Sequence, residues 1–169
     1  KGEKGEKGKE EKKEKGIEIE LVEVNNKNIN DLKKINSVIF PVVYQKQFYS
    51  KVLKNPHLSR LASVGGKIVG AVVCHEEMEE GEAKRMYISI LGVLAIYRGQ
   101  GIGRTLLDFV LSTLCKEHPT VKQVYLHVQE NNENGLKFYK KNGFEIEKLI
   151  ENYYRNVQPS GCYKVVKNL

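Results

Sequence analysis

From Ile17, apolar and acidic residues alternate through IEIELVEV, the period-two pattern of a half-buried strand. The period then lengthens. Ile29, Leu32, Ile35 and Ile39 recur at helical spacing between Asn28 and Phe40, and Pro41 ends the run. VVYQKQFYSKVL predicts a second, short helix after a loop. SRLASVGGKIVGAVVCHEE reads as two strands around Gly65-Gly66, because glycine accepts the positive φ of a tight hairpin turn. A turn at Gly81 leads into AKRMYISILGVLA, a third strand of this meander. Next come a glycine-rich loop, a helix to about Glu117, a strand from about Gln123 through HVQ, and a helix over NENGLKFYKK stopped at Asn142-Gly143. FEIEKLIENYYRN and CYKVVKN, separated by Pro159-Ser160-Gly161, predict a closing hairpin. The order of elements specifies an α/β (α+β) fold, with a mixed central sheet, mostly antiparallel, and flanking helices.

Composition narrows the class. The chain has 169 residues, 40% of them hydrophobic, enough for the core of one domain over residues 17–169. Residues 1–16, KGEKGEKGKEEKKEKG, hold seven Lys, five Glu and no apolar side chain, and are expected to form a disordered tail. No apolar run approaches the roughly 18 residues of a membrane span, and the N-terminus lacks the apolar stretch of a signal peptide. Cys74, Cys115 and Cys162 are far apart and form no C-x-x-C pair, the pattern of reduced thiols in an intracellular protein, expected in the cytoplasm, with no disulfide frame or metal site. The net charge of +7 is modest, and no stripe of alternating aromatic and basic residues suggests direct nucleic-acid binding.

The chemistry concentrates in YRGQGIGR, residues 97–104. A P-loop would need Gly where Arg98 stands and Lys where Arg104 stands; a dinucleotide fingerprint would need its last Gly at Arg104. What remains is R-x-x-G-x-G opening a helix after a strand. Backbone amides of Gly99, Gln100, Gly101, Ile102 and Gly103 can then approach an anion closely, with Arg98 and Arg104 to neutralise it. A tight turn whose glycines only relieve steric crowding is the alternative.

The Arg98–Gly103 loop, followed by NENGLKFYKKNGFE, resembles the acetyl-CoA-binding segments of the GCN5-related N-acetyltransferase (GNAT) superfamily. VIFPVVY, KRMYISILGVLAIYRGQGIG, VYLHVQENNENGLKFYKKNGFE and ENYYRN narrow this to the N-alpha-acetyltransferases, the NatE catalytic-subunit type first and NatF-like enzymes second. The resemblance implies a GNAT fold whose strands splay around an acetyl-CoA cleft. It also implies an enzyme that acetylates the α-amine of nascent chains, Met-starting ones above all, by direct attack in a ternary complex. Ribosomes and NatA-type subunits are the implied partners.

An α-amine has a pKa of about 7.7–8.0, so such an enzyme needs a proton acceptor and donors for the developing oxyanion. Strand alternation sets Tyr87 opposite Met86, Ile88 and Ile90, and sets His127 opposite Val124, Leu126 and Val128. On adjacent strands the two would line one cleft and hold a deprotonating water. The amides near Leu91 and Val93, beside Gly92, are expected to polarise the acetyl carbonyl where the strand splays or bulges. By resemblance, Asn132 and Tyr139 contact the cofactor, and Phe40, Pro41 and Val42 wall the first side chain. By the same resemblance, Tyr44, Tyr153 and Tyr154 bind the peptide backbone. If NYY is extended, its two tyrosines face opposite ways, so at most one reaches the cleft unless a turn intervenes. Two positions depart from the NatE pattern: Ile96 replaces a Pro, and Ser89 replaces a larger apolar residue, making that wall of the peptide pocket smaller and more polar. A lysine or small-amine acetyltransferase and a non-catalytic ribosome- or RNA-docking module are the rival readings.

Overall fold

The structure is a computed structural model that describes residues 16–40, 42–81 and 83–169. The tail expected over 1–16, Gly16 apart, and Pro41 therefore lie outside the described residues. The elements in chain order are β1 (Glu20–Val22), α1 (Ile29–Ile39), α2 (Lys46–Lys54), β2 (Ser59–Val64), β3 (Lys67–Met78), β4 (Lys84–Val93), α3 (Ile102–Asp108), α4 (Cys115–Glu117), β5 (Val121–Gln129), α5 (Glu133–Lys141), β6 (Glu145–Ile150) and β7 (Cys162–Asn168). A π-helical stretch, Phe109–Leu114, joins α3 to α4, so one helical rod runs to Glu117 as the periodicity predicts.

The seven strands form one sheet in the order β1-β2-β3-β4-β5-β7-β6. Every pairing is antiparallel except β4 with β5, whose connection through α3 and α4 is the crossover that a parallel pair requires. Gly65 and Gly66 take φ of 58° and 80°, the double positive φ of the predicted hairpin. The IEIELVEV strand is shorter than its alternation suggests, with only Glu20–Val22 paired.

Each face of the sheet carries its own core. On one side, Met86, Ile88, Val124, Leu126 and Val128 pack with Leu106, Leu107 and Val110 of the long helical rod. On the other, Val73 and Ile90 pack with Leu32 and Ile35 of α1 and Val52 of α2. Cys74 and Cys115 are buried apolar residues on a strand and a helix, and all three cysteines are free thiols.

Ile90 corrects the alternation. Strict period two places it with Met86 and Ile88, yet it sits in the opposite core. The register explains why: Ile88 pairs with Cys74 and Ile90 with Val73, so Ser89 is an extra residue, a β-bulge that flips the pleat beyond it.

Candidate active site

β4 and β5 pair only from Lys84↔Val121 to Tyr87↔Tyr125. Beyond that point β4 stays with β3 as far as Val93, while β5 stays with β7 as far as Gln129. The two central strands therefore open a wedge between residues 88–93 and 126–129, the splay expected around a cofactor.

The wedge exposes backbone donors. Leu94 N–H donates to Val69 O at 2.8 Å, which makes Leu94↔Val69 a hydrogen-bonded pair of the antiparallel ladder. Pairs alternate, so Gly92↔Ala71 faces β3, while the N–H groups of Leu91 and Val93 face the wedge. Consistent with this, the Val93 carbonyl also points away from β3 and accepts from Arg98 Nε at 3.1 Å. The predicted amides are thus free where β5 has left, but the irregularity that sets the strand is the Ser89 bulge, not Gly92. Gly92 has another reason to be glycine: a Cβ there would lie 2.8 Å from Phe40 Cζ and 3.1 Å from Ile39 Cγ2. It lets the Phe40 wall close onto the strand.

At the wide end of the wedge lies the glycine loop. Gly99 and Gly101 take φ of 76° and 83°, Gly101 as the left-handed residue just before α3. Thr105 N–H is satisfied by Gly101 O at 3.0 Å, which leaves the amides of the first turn, at Ile102, Gly103 and Arg104, for a ligand. Gly103 has neither a positive φ nor a clashing neighbour; a Cβ there would meet the Phe138 ring of α5 at an ordinary 3.6 Å. The two sequence blocks that carried the resemblance are therefore neighbours in space. The arginines are less free than their positions suggest. Arg104 Nε is held by Asp108 Oδ1 at 2.8 Å, and Arg98 is partly committed to the Val93 carbonyl. Exposed Ile96 lies in a turn secured by Tyr97 N–H to Leu94 O and Arg98 N–H to Ala95 O, so loss of the proline leaves the turn intact. The free amides, the two left-handed glycines and the open wedge fit the thioester and diphosphate of acetyl-CoA.

At the narrow end three groups converge. His127 Nδ1 lies 3.2 Å from Tyr87 Oη and 3.3 Å from Tyr153 Oη. Burial pushes both phenols up from their ordinary range, so each stays a protonated donor at neutral pH. Burial, with Lys164 adding, lowers the His127 pKa, so its ring is neutral and Nδ1 can accept. One lone pair takes one donor at a time. The two phenols also hydrogen-bond each other, so the three groups form one cluster that a water or an amine would enter by displacing one of these bonds. Tyr153 reaches the histidine because β6 ends at Ile150 instead of continuing through NYYRN. Asn152 turns at φ 54°, and Tyr154 N–H donates to Ser160 O at 2.8 Å. Tyr154 packs edge-on against Tyr153 with ring centres 5.0 Å apart.

The opposite wall comes from the α1–α2 connection. Tyr44 stacks on Phe48 at 4.5 Å and donates to Ser89 O at 3.4 Å. Burial, with Tyr153 adding, pushes its phenol up to about 12. Phe40 packs against the second core and, through Gly92, against β4, while Val42 is exposed. Ser89 is not a bare polar wall, since its Oγ is bonded to His75 Nε2 at 2.8 Å.

Two cofactor expectations acquire structural duties. Asn132 Oδ1 caps α5 by accepting from Gly135 N–H at 3.0 Å, which leaves Nδ2 and one Oδ1 lone pair for a ligand. Asn132→Ala is expected to cost about 1 kcal/mol, measurable as a lower thermal midpoint, whereas Asn132→Asp should keep it. Equal midpoints for both variants would refute the capping role. Tyr139 is buried between Phe138 and Phe144, and its hydroxyl hydrogen-bonds no other described residue.

Neighbours of Tyr87 escaped the sequence reading. By register, His75 and Tyr125 lie on either side of it across three strands. Tyr125 stacks on Tyr87 at 4.9 Å, donates to Glu77 Oε1 at 2.6 Å, and is flanked by Arg85 and Lys164 at 4.8 and 4.9 Å. Tyr125 was within reach of the alternation, two residues before His127; His75 and Glu77 needed the β3–β4 register. Among the described residues no group of three or more His, Cys, Asp or Glu could hold a metal, and no helix is long and apolar enough to cross a membrane.

Residues 13–144 match the family model described as Acetyltransferase (GNAT) family. The chain is 43% identical over 151 residues to N-alpha-acetyltransferase 50 of Danio rerio, covering 89% of each chain. It is 39% identical over 151 residues to Probable N-acetyltransferase san of Drosophila melanogaster, covering 89% of this chain and 81% of that one. Arabidopsis thaliana Naa50 in complex with the bisubstrate analogue CoA-Ac-MVNAL superposes with a TM-score of 0.83 at 45% identity, over 89% of this chain and 99% of that chain.

Proposed function

The chain belongs to the GNAT acetyltransferase family, and on that premise we propose that it moves the acetyl group of acetyl-CoA to the α-amine of peptide chains, with His127 as the proton acceptor. The observation that carries the assignment of roles is the convergence of Tyr87 and Tyr153 on His127 Nδ1 at the closed end of the wedge. Bound acetyl-CoA supplies a thioester carbonyl and a thiolate leaving group. Leu91 and Val93 N–H face the wedge and would hold the oxygen of that carbonyl as it gains charge. Tyr87, protonated, orients a water or the amine; neutral His127 accepts the proton through that water. The lowered basicity of His127 means it relays the proton to solvent and does not retain it. Each pKa unit of mismatch with the amine costs about 1.4 kcal/mol, less than a productive alignment contributes. Tyr139, also held protonated by burial, is the donor for the departing sulfur.

The first side chain enters against the wall of Phe40 and Val42, while Tyr44, Tyr153 and Tyr154 bind the peptide backbone and close the slot. This supports peptides that begin with an apolar residue such as Met. We place the enzyme in the cytoplasm, acting on nascent chains beside ribosomes and NatA-type subunits, the setting that the NatE-type resemblance of its sequence implies.

A panel of Met-starting, Ser-starting and N-blocked lysine peptides tests the reading by mass spectrometry. Acetylation of the Met-starting α-amine, with the blocked peptides untouched, is expected. Modification of the blocked peptides alone would overturn it in favour of a lysine acetyltransferase.

A further inference from the structure

Charge is unevenly spread along the chain. Residues 25–58 hold six lysines against Asp31 alone, and residues 1–16 hold seven lysines against five glutamates, so these two stretches carry the whole net charge of +7. Within the described residues the surplus sits on α1, α2 and their connections, on the cleft face of the sheet. α2 contains no acidic residue. Its Lys46, Lys51 and Lys54 are exposed, and among the described residues none makes an ion pair. Over the rest of the chain basic and acidic residues balance in number, and ion pairs form there, as in Lys84 with Glu76 at 2.6 Å and Lys164 with Glu147 at 2.8 Å.

The three lysines, with Gln47 and Ser50, line a groove of about 340 Å³. Lys51 also borders a smaller cavity, about 130 Å³, that reaches His75. His75 in turn pairs across the strands with Tyr87, ring centres 6.2 Å apart. A path of contiguous residues thus leads from the catalytic pair to an unpaired cationic groove. The two carboxylates along it are taken: Glu76 by Lys84 and His118, Glu77 by Tyr125.

We propose that the lysine face of α2 is a downstream subsite of the peptide slot, which favours substrates carrying Asp or Glu a few residues after the acetylated terminus. The proposal rests on the N-terminal reading above. Nine residues of helix rise about 13 Å, the span of roughly four residues of extended chain, so all three lysines are within reach of one short acidic segment. RNA fits less well, because the groove is lined by Lys, Gln and Ser and offers no exposed ring for a base to stack on.

Two peptides with the same first two residues, one with Glu and one with Lys at positions four to six, supply the test. For the unsubstituted enzyme the Glu peptide is expected to have a KM roughly five- to tenfold lower at 50 mM salt, with the gap closing at 500 mM as the charges are screened. Lys46→Glu/Lys51→Glu/Lys54→Glu should invert the ratio of the two kcat/KM values. Lys54→Gln, which adds no repulsion, should narrow that ratio should the triple variant not fold. Equal KM values, or a preference that persists in the charge-reversed protein, would overturn the subsite. So would a preference unaffected by reversal while binding of a 20-nucleotide RNA is lost, which would assign the face to RNA. If neither peptide is acetylated at its α-amine, it is the N-terminal reading that fails, an outcome separate from any change in the ratio.

Discussion

His127→Ala is expected to lower kcat at pH 7.5 by roughly 100-fold or more, the scale of a positioned general base, with Tyr87→Phe losing about tenfold. Both act on one proton path, so the double variant should lose little beyond His127→Ala alone. Acetyl-CoA affinity, read by calorimetry, should hold in both, since the diphosphate loop lies at the other end of the wedge. The pH profile separates the histidine from a general loss of structure. His127 works as the neutral ring, and its pKa lies below the ordinary histidine range, so activity should fall as pH drops through that lowered value. Above it, the rate should climb with the neutral fraction of the peptide amine, levelling near pH 8. In His127→Ala the acid limb set by the ring should vanish. A His127→Ala enzyme with undiminished turnover would transfer the proton-accepting role to another group.

Gly92→Val should produce the second largest effect, on stability and peptide binding together. A Cβ at this position would overlap Phe40 Cζ at 2.8 Å and crowd Ile39 Cγ2 at 3.1 Å, and valine adds two methyl groups to that Cβ. Overpacking of this kind costs about 1–3 kcal/mol, a fall of several degrees in the thermal midpoint for a chain of this length. The Phe40 wall must retreat to relieve it, so the KM for a Met-starting peptide should rise while that for acetyl-CoA changes little. Phe40→Leu, which shortens the colliding ring, should restore part of the midpoint to Gly92→Val. If the midpoint does not move, the close approach of the wall to the strand is wrong.

Local readings succeeded where the relevant physics is local. The Gly65-Gly66 hairpin, the α1 stripe of Ile29, Leu32 and Ile35, and the helix after Gly101 all follow from φ preference or side-chain period. Tyr87 and His127 were legible for the same reason, since each sits opposite buried neighbours on its own strand. Ile90 was not, because one extra residue at Ser89 reverses the pleat, and only the partner strand reveals which residue is extra. Tyr153 needed a strand to end early, at a turn that its own segment, rich in strand-forming residues, does not announce. Charge, position and motif made the arginines of the glycine loop candidate phosphate partners, and Asp108, one helical turn on, also holds Arg104.

The linear pattern by itself determined the elements, the family and the residue types at the site, because helical and strand periods, turn glycines and short motifs are encoded within a few neighbours. Tertiary structure decided where β4 parts from β5, which amides that parting frees, and how a histidine and two tyrosines from three segments meet within 3.3 Å. Such features depend on register between strands far apart in sequence, and a shift of one residue would turn Tyr87 or His127 to the other face.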